Sequence, residues 1–387
     1  MTESNETAKK LSALHKRLIA QYSSIPEQDL RTQYHPDLSQ LGWHLNHVAF
    51  IEKYWLREIV LGDDSWTKGL HQEFFPELIE KSKRGTLPAI ADFEQLQSDF
   101  SDTETLLSTL SANACDHPLM KNDYLGWFLI QHAEQHMETM QMVLQQRAMT
   151  VVTEAVFTAQ YFDALDPVAP ERDIAAGEYE IGSADILACD NEQPVHLVSL
   201  PDFVFASRCV SNAEYLGFMQ ADGYRQREYW SDAGWQWSRG CQHMAPEHWQ
   251  QDDNGNWYIL MAEGQSDIKA NRAVSGLSWY EADAFARYAG CCLPHEFEWE
   301  AAMKSDSALL LSTGQAWEWC ANAFFPYQGF QAFPYERYST PWFDNQHYVM
   351  KGCSPYSGES VRIPSFRNFY QPGKRHVFAG LRLAQQL

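Results

Sequence analysis

The feature that most constrains this chain is a change of texture near residue 150. Up to that point apolar residues recur at three- and four-residue steps over long stretches. Beyond it they alternate in short runs, separated by loops rich in Gly and Trp. Helices and strands carry these two different periods, so two domains of different class are expected rather than one uniform layer. The length agrees: 387 residues is about two and a half times a typical domain of roughly 150. The expected division is an all-α four-helix bundle over residues 1–150, a mixed, Pro-containing linker over 151–175, and an irregular α+β domain over 176–387.

Four helical patterns carry the first part: Thr7 to Tyr22, Asp37 to Val60, Ala89 to Leu110, and Asp123 to Arg147. The second begins just after Pro36, with Asp37 or Ser39 placed to cap it. The fourth sets Leu125, Leu129, His132, His136, Met140 and Val143 on a single face. In the second part, Glu178–Ile181 and His196–Leu200 read as strands, and Ser278–Ala289 and His295–Met303 as helices. Ten of the 14 Trp fall between Trp230 and Trp342, where large aromatics are expected to fill a core with little regular structure.

Charge excludes some partners. Twenty-nine Lys+Arg against 51 Asp+Glu give a net charge of −22, which argues against non-specific binding to nucleic acid or anionic membranes. No run approaches the roughly 18 apolar residues of a membrane span, and the opening MTESNETAKKLSALHKRL lacks an apolar signal core. Eight Cys without CxxC pairs read as reduced thiols, so the cytoplasm is the expected compartment. The oligomeric state leaves no trace in the sequence.

His132 and His136 are the sharpest local feature. An i, i+4 pair projects two imidazoles from one helical face about one turn apart, as a metal requires of a helix. Both lie in the inner stripe, where an unpartnered imidazole is costly. Glu134 and Glu138 point about 200° away and are excluded as co-ligands. A third ligand is expected from another helix, and Trp43-His44-Leu45-Asn46-His47 offers two. Three imidazoles on one side of a metal leave open positions for substrate and dioxygen, and would equally suit Zn or Ni in Lewis-acid chemistry; ligand type alone does not choose the metal.

The order WHLNH, then HAEQHME, resembles the DinB-like bundle of the ergothioneine-type sulfoxide synthase family. The later segments DNEQPVHLVSLPDFVFA, VSNAEYLGFMQADGYRQREYWSDAGWQWS, PHEFEWEAA and SFRNFYQPGKRHVFAGLRLA resemble the formylglycine-generating-enzyme-like (C-type-lectin-like) domain appended to it. The resemblance implies a non-haem Fe(II) enzyme that uses dioxygen to join a thiol or selenol to the imidazole of hercynine, a histidine betaine, giving a sulfoxide. It implies His47, His132 and His136 as ligands, with His44 beside them. Gln135 and Asn368 fall at positions that contact the betaine, with Phe369 and Tyr370 adjoining. Arg84 falls near an Arg that clamps the donor's carboxylate, a task that suits a guanidinium fork. Tyr335 and Tyr338 are the candidates for a proton-supplying Tyr, with Tyr327 behind them.

The donor half departs from the family. Arg367-Asn368-Phe369-Tyr370 stands where Arg-Asn-Trp-Asp is common, Gly352-Cys353-Ser354-Pro355 replaces Gly-Gly-Ser-Trp, and Cys291-Cys292 precedes Leu-Pro-His-Glu. The acidic partner for the donor's amino group is therefore missing, and cysteine, another thiol or a selenol remain open. Formylglycine generation is set aside, because Cys353 stands alone and the next Cys upstream is Cys320. The competing readings are a metal-dependent DinB-like thiol transferase, a family member with another small-molecule substrate, and a non-enzymatic binding protein. The three-His set argues against the last of these.

Overall fold

A computed structural model describes residues 6–112, 115–150 and 157–387. The chain forms two compact units: Met1–Thr150 with Ser357–Ser360, and Val151–Tyr356 with Val361–Leu387. The stretch read as a linker starts in residues 151–156, which lie outside the described residues. Among the described residues, no helix is long and apolar enough to cross a membrane.

The first unit is a four-helix bundle with short helices in its longest connection. In chain order these are α1 (Glu6–Tyr22), α2 (Glu27–Arg31), α3 (Leu41–Lys53), α4 (His71–Phe74), α5 (Lys81–Arg84), α6 (Phe93–Ala112) and α7 (Tyr124–Thr150). Both α1 and α3 pack against α6 and α7. The apolar stripes turn inward: Leu11, Leu14, Leu18 and Tyr22 of α1 are buried, as are Leu125, Leu129, Met140 and Val143 of α7. Gly42 lets α3 approach the segment Pro88–Ala91, because a Cβ there would sit 2.2 Å from the Ile90 carbonyl oxygen.

The second helix departs from expectation at both ends. Neither Asp37 nor Ser39 caps it; α3 starts at Leu41 after Gln40, without a side-chain cap. The Ser39 hydroxyl accepts a hydrogen bond from Arg84 instead, so it does not serve the helix. At the other end, Tyr54–Val60 continues as a π-helix rather than an α-helix.

The second unit is α+β with four small sheets. Its strands are β1 (Arg172–Ile174), β2 (Gly177–Ile181), β3 (His196–Leu200), β4 (Phe203–Phe205), β5 (Trp249–Gln251), β6 (Trp257–Met261), β7 (Gly264–Asp267), β8 (Ala316–Ala323), β9 (Tyr348–Cys353), β10 (Asn368–Tyr370), β11 (Ala379–Gly380) and β12 (Ala384–Gln386). They pair in the orders β1-β4-β12, β2-β3, β5-β6-β7 and β10-β9-β8-β11. Strand β1 falls inside the stretch expected to be linker, where Arg172, Asp173 and Ile174 pair antiparallel with Phe205, Val204 and Phe203.

Helices α8 (Asn212–Gln220), α9 (Asp232–Gly240), α10 (Trp279–Tyr288), α11 (Glu296–Ser305) and α12 (Ser307–Leu311) complete the unit. Capping boxes start three of them, through Ser211 with Glu214, Ser278 with Glu281, and His295 with Glu298. Ile174, Phe203, Phe205, Trp299, Phe324 and Val349 share one core cluster.

Aromatics are not the whole of that interior. Buried ion pairs join elements far apart in sequence: Arg382 with Glu318, Arg367 with Glu296, and Lys351 with Glu300. The Trp299 Nε1–H also donates to Glu318. Each of these six buried charges therefore has a partner of opposite sign, without which it would be strongly destabilising.

Candidate metal centre

The spacing of α7 aims His132 and His136 along one face, one turn apart, and α3 brings His47 against them. One nitrogen from each of the three imidazoles lies within 4.8 Å of the others. The ring centres of His132 and His136 are 4.5 Å apart, and that of His47 is 5.2 and 4.7 Å from them.

Hydrogen bonds define which nitrogens face inward. The His47 Nδ1–H donates to the Phe74 carbonyl at 2.7 Å, leaving Nε2 with its lone pair. Nδ1 of His136 is 2.9 Å from Nδ1 of His44, which again leaves Nε2. Nδ1 of His132 is buried and makes no hydrogen bond. Burial is the main force holding these rings neutral. It pushes His47 down to about 4, against the opposing Phe74 hydrogen bond, and His44, His132 and His136 well below 6.5; neighbouring imidazoles for the latter three, and the Arg84 charge for His44, His47 and His136, act in the same direction as burial. Neutral imidazoles with free lone pairs are what a divalent metal needs, so the residues fit a three-His ion. Glu134 and Glu138 turn elsewhere: they accept hydrogen bonds from Ser360 and Ser357 of the same unit.

Trp43 was not singled out in the sequence, although it lies four residues before His47 on the same helical face. Its ring stacks on His47 at 4.7 Å and 15°, and its Nε1–H donates to the Glu73 carbonyl at 2.9 Å. No sequence signal marks the Phe74 carbonyl. Arg84 is buried, with its guanidinium 3.8 Å above the Trp43 ring. It donates to Ser39 Oγ, to the Pro76 carbonyl and twice to the Ile79 carbonyl. Gln135 lies on α7 between the two ligand histidines, half-buried.

The remaining candidates belong to the second unit. The Tyr338 hydroxyl is 3.2 Å from Cys189 Sγ. The Tyr335 ring stands edge-on to Tyr338 at 6.2 Å and is 39% exposed, so both hydroxyls sit on one short segment. Tyr327 is different: burial, and next Glu296, raise its phenol well above 10, which keeps its proton in place. Asn368 opens β10, and its Oδ1 accepts from the Phe369 N–H. Phe369 stacks on Phe324 at 4.1 Å against the core, and Tyr370 stands edge-on to His376. The eight cysteines are all free thiols.

Residues 9–140 match the DinB superfamily, and residues 166–309 match the Sulfatase-modifying factor enzyme 1-like domain. The chain is 27% identical over 419 residues to a hercynine oxygenase of Mycolicibacterium thermoresistibile, covering 92% of this chain and 90% of that protein. To a hercynine oxygenase of Mycobacterium tuberculosis it is 27% identical over 408 residues, covering 92% and 93%. Ergothioneine biosynthesis protein 1 of Schizosaccharomyces pombe is 26% identical over 232 residues, which are 51% of this chain and 27% of that one. A DinB-superfamily bundle followed by a sulfatase-modifying-factor-like domain, with a likeness to two hercynine oxygenases that runs nearly end to end, supports a place for the chain in the ergothioneine-type sulfoxide synthase family.

Proposed function

We propose that this protein is an Fe(II)- and dioxygen-dependent enzyme of the ergothioneine pathway, joining a thiol or selenol to the imidazole carbon of hercynine as a sulfoxide or selenoxide. The observation that carries the reading is the cluster of three neutral imidazoles on α3 and α7, within 4.8 Å of one another. The likeness to two hercynine oxygenases over 92% of the chain supports the choice of acceptor. The Zn or Ni transferase reading accounts for the bundle but gives no task to the second domain.

His47, His132 and His136 would hold the ion, which would favour the thiolate over the thiol and bring it to dioxygen. The reaction balances without an external reductant. Forming the C–S bond at the expense of a C–H and an S–H releases two electrons, and oxidising sulfur to the sulfoxide releases two more. Dioxygen takes all four, leaving one oxygen on sulfur and one in water. The chain's own part is to hold the two substrates together, which lowers the entropic cost of a bimolecular bond. Gln135 and Asn368 would contact the betaine, Phe369 and Tyr370 would line its neighbourhood, and Tyr335 or Tyr338 would supply the proton.

The test is anaerobic reconstitution with Fe(II), followed by oxygen consumption and product analysis with hercynine and a panel of thiols and selenols. Hercynine-dependent oxygen uptake with one donor is expected. No hercynine-dependent turnover with any donor would overturn the proposed function. Replacing Tyr338 and Tyr335 by Phe, one at a time, should lower turnover in the variant that loses the proton donor while leaving bound iron unchanged.

A further inference from the structure

Two consecutive residues of α3 each touch a different member of the imidazole cluster: His44 meets His136, and Trp43 meets His47. The first contact has a chemical consequence. A hydrogen bond between two Nδ1 atoms requires one to carry the proton and the other to offer a lone pair. If His136 presents Nε2 to an ion, its proton is on Nδ1, so His44 must be the acceptor and carry its own proton on Nε2. The opposite assignment would put a proton on His136 Nε2 and remove that residue from the ligand set. One contact thus selects the ligating tautomer. That Nε2 of His44 is buried without a hydrogen-bond partner, so the ring has no second polar contact to anchor it, which leaves His136 as its one polar partner.

The second contact is mechanical. Trp43 is fixed by its bond to the Glu73 carbonyl and by Arg84 lying over its ring, so the stacked His47 ring is held in a set plane. Four of the five Arg84 N–H groups are engaged with Ser39, Pro76 and Ile79. A guanidinium so committed serves as a brace and has little left for a substrate carboxylate.

We propose that Trp43 and His44 are positioning residues of the metal centre: His44 sets the tautomer and orientation of His136, and Trp43, braced by Arg84, sets the plane of His47. The inference rests on the three-His metal reading above, and the experiment separates the two. Fe(II) affinity is measured anaerobically on the full chain by competition with a chelator, and Co(II) loading is followed by visible absorption. Parent-like metal affinity in His132→Ala would overturn the metal reading itself. With binding lost there, His44→Ala is expected to bind roughly 10- to 100-fold more weakly, with an altered Co(II) spectrum. His44→Asn, whose Oδ1 can accept from His136 Nδ1, should recover most of that affinity, and Trp43→Phe should exceed Trp43→Leu for the same reason of shape. Circular dichroism of the metal-free variants identifies any that fail to fold, and the His44→Asn comparison then decides. Parent-like affinity and spectrum in His44→Ala, or no recovery in His44→Asn, would overturn the assignment.

Discussion

Glu318 illustrates what a single charged residue requires inside a domain of small sheets. It is fully buried; both carboxylate oxygens accept from Arg382, and Trp299 and Cys209 add a further donor each. Removing the guanidinium strands the carboxylate, and breaking a buried pair from one side costs about 3–5 kcal/mol. Arg382→Met should therefore lose stability on that scale in urea unfolding. The double variant Arg382→Met, Glu318→Leu should regain most of the loss but not all, since the Trp299 N–H would then lack an acceptor. A single variant within about 1 kcal/mol of the parent would contradict this account. Such pairing could not be read from the sequence. Glu296, Glu298 and Glu300 crowd the first turns of α11, yet Glu296 meets Arg367, Glu300 meets Lys351, and Glu298 accepts from Gln386. Those partners lie 71, 51 and 88 positions away, beyond the reach of any local pattern.

Among the elements, α1, α3 and α6 are tied by one histidine. His15 of α1 bonds Glu52 of α3 through Nε2 at 3.0 Å and Glu104 of α6 through Nδ1 at 2.8 Å, with Phe100 stacked on its ring. Burial works against the charged form, but the Glu52 and Glu104 carboxylates outweigh it and raise His15 from 6.5 to about 9. The folded protein therefore keeps a proton that the unfolded chain releases between those two values. This stabilisation is whole below about pH 6.5 and fades as pH rises through 9; the difference corresponds to about 3 kcal/mol. Urea unfolding of His15→Gln against the parent should show a gap of that order at pH 6 that shrinks markedly by about pH 9.5. A gap independent of pH would mean that packing against Phe100, not charge, is what His15 supplies. The helices themselves were legible, because an inward stripe needs no knowledge of its partners. The start of α3 was not: Ser39 looked like a cap, but its hydroxyl is taken by Arg84 from another segment. The same limit applies at the metal centre. Spacing on α7 marks His132 and His136, whereas the contact of His44 exists only once α3 and α7 have packed, and the partners that fix Trp43 arrive from α4 and α5.

For the whole molecule the relevant quantity is the net charge of −22. Burial reduces the acidic excess at the surface without removing it, since Lys53, Arg84, Lys351, Arg367 and Arg382 are buried but so are more carboxylates, Glu52, Glu192, Glu296, Glu300 and Glu318 among them. Two effects of salt then compete. Exposed pairs such as Arg227–Asp232 and Lys68–Asp64 are weakened by screening, but each contributes little to begin with. The collective repulsion among surface carboxylates is screened as well, and it opposes the compact state. Buried pairs such as Arg382–Glu318 are screened far less. Repulsion should dominate, so thermal stability should rise with ionic strength as the Debye length falls from about 30 Å at 10 mM to about 8 Å at 150 mM salt. A gain of about 2–5 °C in the unfolding midpoint between those conditions at pH 7 corresponds to roughly 1 kcal/mol for domains of this size. A midpoint that falls with added salt would instead mean that the exposed ion pairs outweigh the acidic excess. Choline chloride and sodium chloride should act alike, since the effect is screening. If instead only one of them raised the midpoint, a bound cation rather than repulsion would be responsible.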